Sequence, residues 1–283
     1  AWEFPGGKIE PGESAEAAMR RELHEELGVD LGAIEPLISI PWRYPDKMIV
    51  LHAYRVLNFS GEPRGRQGQA VQWLSPKDAM HVSMPPPDYP IVNALRLPQT
   101  YAITAEPDGD LAKFLASFER LLANGARLIQ LRAKHATADR LREIALAMRD
   151  RARAAGTTLL LNGHLELVRE LGLDGVHLPA ADLMRLSKRP LDRDQWVAAS
   201  CHDAHELAHA AMIGVDFAVL GPVQPTSSHP DATVLGWQRF AELCAAASLP
   251  FYALGGLSLD NLARARDAGA QGIAGISAFW PTP

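Results

Sequence analysis

Three glutamates, Glu22, Glu25 and Glu26, stand at i, i+3 and i+4 in the stretch "MRRELHEELGVD". On a helix they project from one face. Carboxylates converging on one point push each other's pKa values up. A hard divalent cation removes that penalty, and Mg²⁺ takes oxygen donors of this kind. Glu13 lies in the loop just before the stretch, and Arg21 can brace a carboxylate in a bidentate pair. The Gly6-Gly7 turn lets a backbone carbonyl approach the same ion. For "EEL" alone, a solvated charge-rich helix is the alternative. The elements that must position these groups are legible nearby. Ser14 is a suitable N-cap, Glu16 adds negative charge in the first turn, and Gly28 stands where a C-terminal stop belongs. Ala17, Met19, Leu23 and Leu27 can supply the apolar contacts of that helix.

The spacing is more specific than a Glu-rich face. Gly7, five residues, Glu13, seven residues, then Arg21-Glu22-Leu23-His24-Glu25-Glu26-Leu27-Gly28-Val29 resembles the Nudix box at every fixed position. From average residue usage such a match arises by chance on the order of once in a billion windows. The resemblance runs to about residue 97. "WEFPGGKIEPGE", "YPDKMIVLHAYRV", "SGEPRGRQGQAVQWLSP" and "MPPPDYPIVNAL" are similar to the bacterial MutT type, the 8-oxo-dGTP diphosphatases.

That resemblance implies a Mg²⁺-dependent enzyme, with Mn²⁺ as the alternative ion. It releases a nucleoside monophosphate and pyrophosphate, and so cleanses the nucleotide pool and avoids mutation. It implies that Gly6 (through its carbonyl), Glu22, Glu25 and Glu26 are metal ligands. Glu13 and Arg21 are implied as supporting catalytic residues, and Phe4 and Asp88 as nucleotide-binding. Two departures matter. The family's Glu in the "G-x-E-G-Q" turn is Gln67 here, which accepts a hydrogen bond but is no base at neutral pH. The family's purine-reading Asn is Asp88, which only accepts when ionised. The family also has roughly thirty further residues before the "WEFPGGK" segment, a length set by two short strands and a loop. The expectation is an N-terminally incomplete Nudix α/β/α sandwich.

The chain has 283 residues, of which 47% are hydrophobic and 22% charged. That is a core-forming composition with room for two moderate domains. We expect a Nudix domain over 1–97 and a second domain over 98–283, meeting near Leu97-Pro98-Gln99. A net charge of -5 argues against a nucleic-acid-binding surface. No apolar run reaches membrane-spanning length. Two widely spaced cysteines, Cys201 and Cys244, fit a reduced cytoplasmic setting.

In the second half, apolar runs alternate with helical patterns. "YAIT" (101–104), "RLIQLR" (127–132), "TTLLLN" (157–162), "GVHL" (175–178), "VAAS" (197–200), "FAVLG" (217–221), "FYALGG" (251–256) and "GIAGIS" (272–277) read as strands. Eight such units imply a compact (β/α)8 TIM barrel, with the last helix missing or vestigial. Gly255-Gly256 and Gly275-Ile276-Ser277, after strands seven and eight, fit a barrel phosphate site; tight turns are the alternative.

"YAIT", "IQLRAK", "GVHLPAADL", "LGPVQPTSSHP" and "YALGGL" are similar to the thiamin phosphate synthase/TenI family. The resemblance implies pocket residues at Arg132, Lys134, Asn162, Asp182, His202 and Ser277, and a phosphorylated thiazole or pyrimidine ligand. Here too the chain departs. The family's synthases have a Mg²⁺-binding Asp where this chain has Gly163, and a pyrophosphate-holding Lys where it has His229. "HELAH" (205–209) has the spacing of a zincin motif, yet it also reads as the helix after barrel strand five. Cys201 beside His202 would point to the opposite face of a strand, so a buried cysteine is expected. Most Trp and Tyr residues read as core, with Trp2 and Tyr89 as candidate pocket residues.

The reading is a Mg²⁺-dependent nucleoside triphosphate diphosphatase acting on 8-oxo-dGTP, joined to a phosphate-ligand-binding barrel. The alternatives are thiamin phosphate synthase or thiazole tautomerase activity in the barrel, or a non-catalytic sensing or docking barrel.

Overall fold

The computed structural model describes residues 1–107, 109–226 and 232–281. His229 lies outside them. The chain divides into two compact units, Ala1–Arg96 and Leu97–Pro283.

The first unit is built from helix α1 (Ala15–Leu27), strands β1 (Asp30–Leu31), β2 (Ile34–Arg43), β3 (Met48–Val56) and β4 (Phe59–Ser60), and helices α2 (Pro76–Ala79) and α3 (Asp88–Arg96). Helix α1 forms where the caps require it. Ser14 Oγ accepts the Ala17 N–H at 3.2 Å, and Gly28 closes the helix at φ 75°. β2 and β3 pair antiparallel from Ile34↔Val56 to Arg43↔Met48, with a bulge between Pro36 and Ile38. β1 pairs antiparallel with β4. Ala18, Leu23, Val29, Ile40, Met80, Ile91, Val92 and Ala94 are buried apolar side chains.

The second unit is a closed barrel of eight parallel strands. In chain order its elements are β5 (Thr100–Ile103), α4 (Leu111–Ala123), β6 (Leu128–Leu131), α5 (Ala138–Ala154), β7 (Thr158–Asn162), α6 (Leu165–Leu171), β8 (Gly175–Leu178), α7 (Ala180–Leu183), β9 (Trp196–Cys201), α8 (Ala204–Ile213), β10 (Phe217–Leu220), α9 (Gly236–Ala246), β11 (Phe251–Ala253), a 3₁₀ turn (Leu259–Asn261), α10 (Leu262–Asp267) and β12 (Gly272–Gly275). Alternation along each strand explains the continuous apolar runs. Ile129, Leu131, Leu159, Val176 and Val197 face the helices, while Leu128, Leu160, Ala198, Val219 and Ala274 fill the interior. Tyr101, Phe217 and Tyr252 pack edge-on and tilted inside the barrel, 5.4–5.6 Å between ring centres.

Closure runs through β12 against β5. A Cβ on Gly272 would stand 1.8 Å from the Gln99 carbonyl oxygen, so only glycine lets these backbones meet. After β12, among the described residues, no helix follows. A turn ties the Phe279 and Trp280 N–H groups to the Ile276 carbonyl, and Trp280 packs on Phe114 of α4 at 4.9 Å.

Candidate functional site

In the first unit the chemistry gathers on one guanidinium. Arg21 Nε and Nη2 donate to both carboxylate oxygens of Glu13, each at 3.0 Å. Its Nη1 donates to Glu22 Oε1 at 2.9 Å and stands 3.6 Å from Glu25 Oε2. Nη2 also reaches the Lys8 carbonyl, which draws the glycine-rich loop onto the helix. Hydrogen bonds from Arg21, and then the Glu10 N–H, hold the Glu13 carboxyl below its usual range, while Glu13 and Glu22 push Arg21 further up. Glu26 is held separately: Gly6 N–H donates to its Oε2 at 3.2 Å. A Cβ on Gly7 would stand 2.2 Å from Glu22 Cδ, so any side chain there would displace that carboxylate.

The C-terminal turn of α1, which carries Glu25 and Glu26, is tied down by residues 64–69. Arg66 N–H and Gln69 Nε2 donate to the Glu26 carbonyl at 2.8 and 3.2 Å, and Arg64 N–H donates to that of Leu27 at 3.0 Å. These bonds satisfy carbonyls that a helix end leaves open. Gln67 spends its backbone N–H on Gln69 Oε1 at 2.8 Å within the same loop.

The acidic set therefore converges on Arg21 and the Gly6 N–H. Among the described residues, no group of three His, Cys, Asp or Glu side chains is arranged to hold a metal ion. The chemistry of the donors still fits a hard cation: carboxylate oxygens on one helix face, beside an exposed glycine loop.

Asp88 opens α3 and is 6% exposed. Its Oδ2 has no hydrogen-bond partner. Burial pushes its carboxyl up to about 6, opposed by the Phe4 N–H and aided by the charge of Glu3. Phe4 and Trp2 are each 37% exposed, and the Trp2 N–H donates to the Ser83 carbonyl at 2.8 Å. Tyr89 is engaged locally, its hydroxyl 3.4 Å from the Val82 carbonyl. Trp73 is 74% exposed and stacks on Phe59, an exception to the expectation that most Trp and Tyr residues are core.

In the barrel, Arg132 and Lys134 follow β6, Asn162 ends β7, Asp182 lies in α7, and His202 follows β9. Thus the first four lie at the same ends of neighbouring strands. Asn162 Oδ1 accepts Gln130 Nε2 at 2.8 Å. His202 turns outward instead, its Nδ1 2.9 Å from Glu206 Oε2. Gly255 and Gly256 take φ of 101° and 64° after β11, and Ser277 is exposed after β12. A groove of about 890 Å³ along α4 includes Glu106 and Ser277 in its lining but none of Arg132, Lys134, Asn162 or Asp182.

Sequence reasoning missed a buried polar chain inside the barrel. Tyr101 Oη lies 3.1 Å from His177 Nδ1, and His177 Nε2 lies 2.8 Å from Ser200 Oγ. Burial pushes His177 down to about 3, so its ring is neutral and one nitrogen donates while the other accepts. The available signal was a lone His within the apolar run "GVHL".

"HELAH" is structural. It lies on α8; His209 Nε2 stands 2.9 Å from the Leu186 carbonyl and Glu206 is taken by His202. Cys201 and Cys244 are buried, and burial pushes both thiols well above their usual range. A colorimetric thiol titration at pH 8 should find neither reactive within minutes in the native chain and both after denaturation. Rapid labelling of the native chain would contradict that burial.

Comparison with known proteins settles the families. Residues 100–279 match the thiamine monophosphate synthase family, and residues 1–95 match the NUDIX domain. The chain belongs to the thiamine monophosphate synthase family. It joins that barrel to a Nudix domain, which marks it as a hydrolase of phosphoanhydride bonds; Nudix hydrolases generally use a divalent metal such as Mg²⁺. Thiamine-phosphate synthase from Chromobacterium violaceum is 36% identical over 188 residues, covering 65% of this chain and 89% of that protein. The enzyme of the same name from Methylobacillus flagellatus is 35% identical over 182 residues, covering 64% and 86%. Among solved structures, thiamine phosphate pyrophosphorylase from Pyrococcus furiosus superposes with a TM-score of 0.53 at 25% identity, over 64% of this chain and 86% of that one. No helix among the described residues is long and apolar enough to cross a membrane.

Proposed function

We propose that the chain is a Mg²⁺-dependent nucleoside triphosphate diphosphatase that converts 8-oxo-dGTP to 8-oxo-dGMP and pyrophosphate in the cytoplasm, and that its barrel binds a phosphorylated ligand. The observation that carries this reading is the Arg21 hub. One guanidinium holds Glu13 and Glu22 and stands beside Glu25, on the helix that also carries Glu26. Glu22, Glu25 and Glu26, with Gly6, would hold the metal. When bound, the ion would polarise the phosphate chain and supply a more acidic water. Arg21 and Glu13 fix the carboxylates in place, and the loop 64–69 keeps the last turn of α1 from fraying.

Base recognition falls to Asp88. Its unpartnered Oδ2 can accept an N–H from a guanine edge, which adenine lacks at N1. Asp88→Asn adds a donor and should shift kcat/KM between 8-oxo-guanine and guanine nucleotides. One hydrogen bond is worth about 0.5–1.5 kcal/mol, so the ratio should move roughly three- to tenfold. An unchanged ratio would remove Asp88 from base reading.

The test of the whole proposal is a nucleotide panel on the full chain, measuring pyrophosphate release with and without Mg²⁺. Fastest Mg²⁺-dependent release from 8-oxo-dGTP is expected. Release of orthophosphate alone, or equal rates on all nucleotides, would overturn the diphosphatase or the base preference respectively.

A second reading places thiamin phosphate synthesis or thiazole tautomerisation in the barrel. The Gln130–Asn162 bond favours it, since Asn162 stands at the C-terminal end of β7, the end at which barrels place their ligand sites. A thiamin phosphate formation assay on the same preparation distinguishes the two.

A further inference from the structure

Along a strand, successive carbonyls point to opposite edges. In the turn after β11, three successive carbonyls are all held by the segment that follows β10. The Val223 N–H donates to the Leu254 carbonyl at 2.7 Å, and the Gln224 N–H to that of Gly255 at 3.1 Å. The Gln224 side chain takes the third. Its Nε2 donates to the Gly256 carbonyl at 3.1 Å, and its Oε1 accepts the Trp237 Nε1–H at 3.2 Å. The opposite amide orientation would set oxygen against oxygen and nitrogen against nitrogen. Gly255 and Gly256 make the turn possible, at φ of 101° and 64°. A Cβ would stand 2.5 Å from Pro222 Cβ at position 255, and 2.3 Å from the Pro225 carbonyl oxygen at position 256.

The planarity of the trans peptide fixes the other side of these units. With the carbonyls of 254–256 turned to that segment, the N–H groups of Gly255, Gly256 and Leu257 point away from it. None of the three N–H groups has an acceptor among the described residues, although Gly255 and Leu257 are buried. Buried N–H groups without partners are rare, and successive ones facing one way form an anion cradle. Backbone bonds hold the first two carbonyls, but among the described residues the Gly256 carbonyl has only the Gln224 amide. That amide is itself braced. Trp237 lies in the first turn of α9, packs edge-on against Phe240 at 5.9 Å, and has the Arg264 guanidinium of α10 over its ring at 5.1 Å. The Leu235 and Gly236 N–H groups tie the start of α9 to the Pro222 and Val223 carbonyls.

We propose that Gln224 is a positioning residue of the barrel's phosphate site: braced by Trp237, it sets the Gly256 peptide so that the N–H groups of Gly255, Gly256 and Leu257 are presented together to a phosphoryl group. The proposal rests on the reading of the barrel as a phosphate-ligand site. Gln224 acts through the Gly256 carbonyl rather than on the ligand. Without its bond, the Gly256–Leu257 unit can turn over, because glycine opposes such a rotation little. A carbonyl dipole would then stand where a phosphoryl oxygen belongs. Leucine at 224 fills similar space and makes neither bond. Phenylalanine at 237 keeps the ring contacts and removes the indole N–H.

The test uses the full chain with Glu22→Gln, Glu25→Gln and Glu26→Gln, so that the Nudix carboxylates take no metal, and inorganic phosphate as the probe. Calorimetry in EDTA gives the affinity. Amide hydrogen exchange, read by mass spectrometry on peptides spanning 254–258, shows where phosphate binds. In this parent, phosphate should slow exchange at Gly255, Gly256 and Leu257. Gln224→Leu should weaken binding about tenfold and abolish that protection, and Trp237→Phe should weaken binding about threefold. The double variant should bind no worse than Gln224→Leu, since Trp237 acts through Gln224. A merely structural role would lower the thermal midpoint and leave phosphate protection at 255–257 intact in the folded chain. Parent-like affinity and protection in Gln224→Leu would overturn the proposal and leave the phosphate-site reading standing, as would phosphate binding in the parent without protection at 255–257. Should Gln224→Leu fail to fold, Trp237→Phe decides, and parent-like affinity there overturns the proposal. No phosphate binding by the parent would overturn both.

Discussion

Glu25→Gln and Glu26→Gln should each lower nucleotide hydrolysis by about 10²–10³-fold, the usual cost of removing one strong electrostatic element from a site. The substitution keeps the side chain's shape and one acceptor oxygen. The Gly6 N–H, 3.2 Å from Glu26 Oε2, can still be satisfied by glutamine, so the loop and helix should stay in register. What is lost is the charge. In Glu25→Gln, Arg21 faces one carboxylate fewer, and in either variant a hard cation loses an anionic donor. Mn²⁺ affinity, read by electron paramagnetic resonance, should fall together with the rate. Glu16→Gln serves as control, because Glu16 pairs with Arg20 at 2.9 Å on the exposed side of the same helix and should leave the rate unchanged. Wild-type hydrolysis in either test variant would remove these carboxylates from the metal site.

The reach of sequence reasoning follows the distance over which each feature is specified. Helix α1 is set locally: Ser14 caps one end, Gly28 stops the other, and the spacing from Gly7 to Val29 lies within one short segment. Likewise the barrel strands were legible, since a parallel strand buried on both faces leaves an uninterrupted apolar run. Their ends differ from the runs by at most three residues, and "GVHL" matches Gly175–Leu178 at both ends; where they differ, backbone pairing rather than side-chain polarity decides where a ladder stops. Thus "FYALGG" contributes only Phe251–Ala253, and "GIAGIS" only Gly272–Gly275.

Features assembled from distant parts of the chain were not legible. Tyr101 and His177 are 76 residues apart, and no local pattern marks their hydrogen bond. Arg66 and Gln69 read as polar loop residues, yet they close the end of α1, 42 and 43 residues from the carbonyls they bind. The Arg21 hub was half legible. Spacing shows that Arg21 can brace a carboxylate; it does not show that both Glu13 oxygens and Glu22 share the same guanidinium. Asp88 is the sharpest case. In "PPPDYP" it reads as a base-reading acceptor when ionised, with nothing to show that as the first residue of α3 it is buried with one oxygen unpartnered.

That burial has a stability consequence with a defined sign. Asp88 titrates near its ordinary value of 3.8 in the unfolded chain and near 6 when folded. Between those values the folded chain binds more protons than the unfolded one. Its unfolding free energy therefore falls as pH rises through that window and levels off above about 7. A shift of roughly two units corresponds to about 3 kcal/mol at the upper limit. Asn carries no charge to bury and retains an acceptor for the Phe4 N–H. Asp88→Asn should therefore stabilise the Nudix unit by about 1–3 kcal/mol more at pH 8 than at pH 4. Urea unfolding at both pH values, followed by the fluorescence of that unit's tryptophans, measures the difference. An equal effect at both pH values would show that the Asp88 carboxyl titrates alike in the folded and unfolded chain. The same experiment bears on recognition. A buried acceptor without a partner is expensive to keep, and a bound guanine edge would supply the missing donor to Oδ2. Guanine nucleotide should then raise the stability of the parent chain more at pH 8 than at pH 5. In Asp88→Asn that pH dependence should vanish.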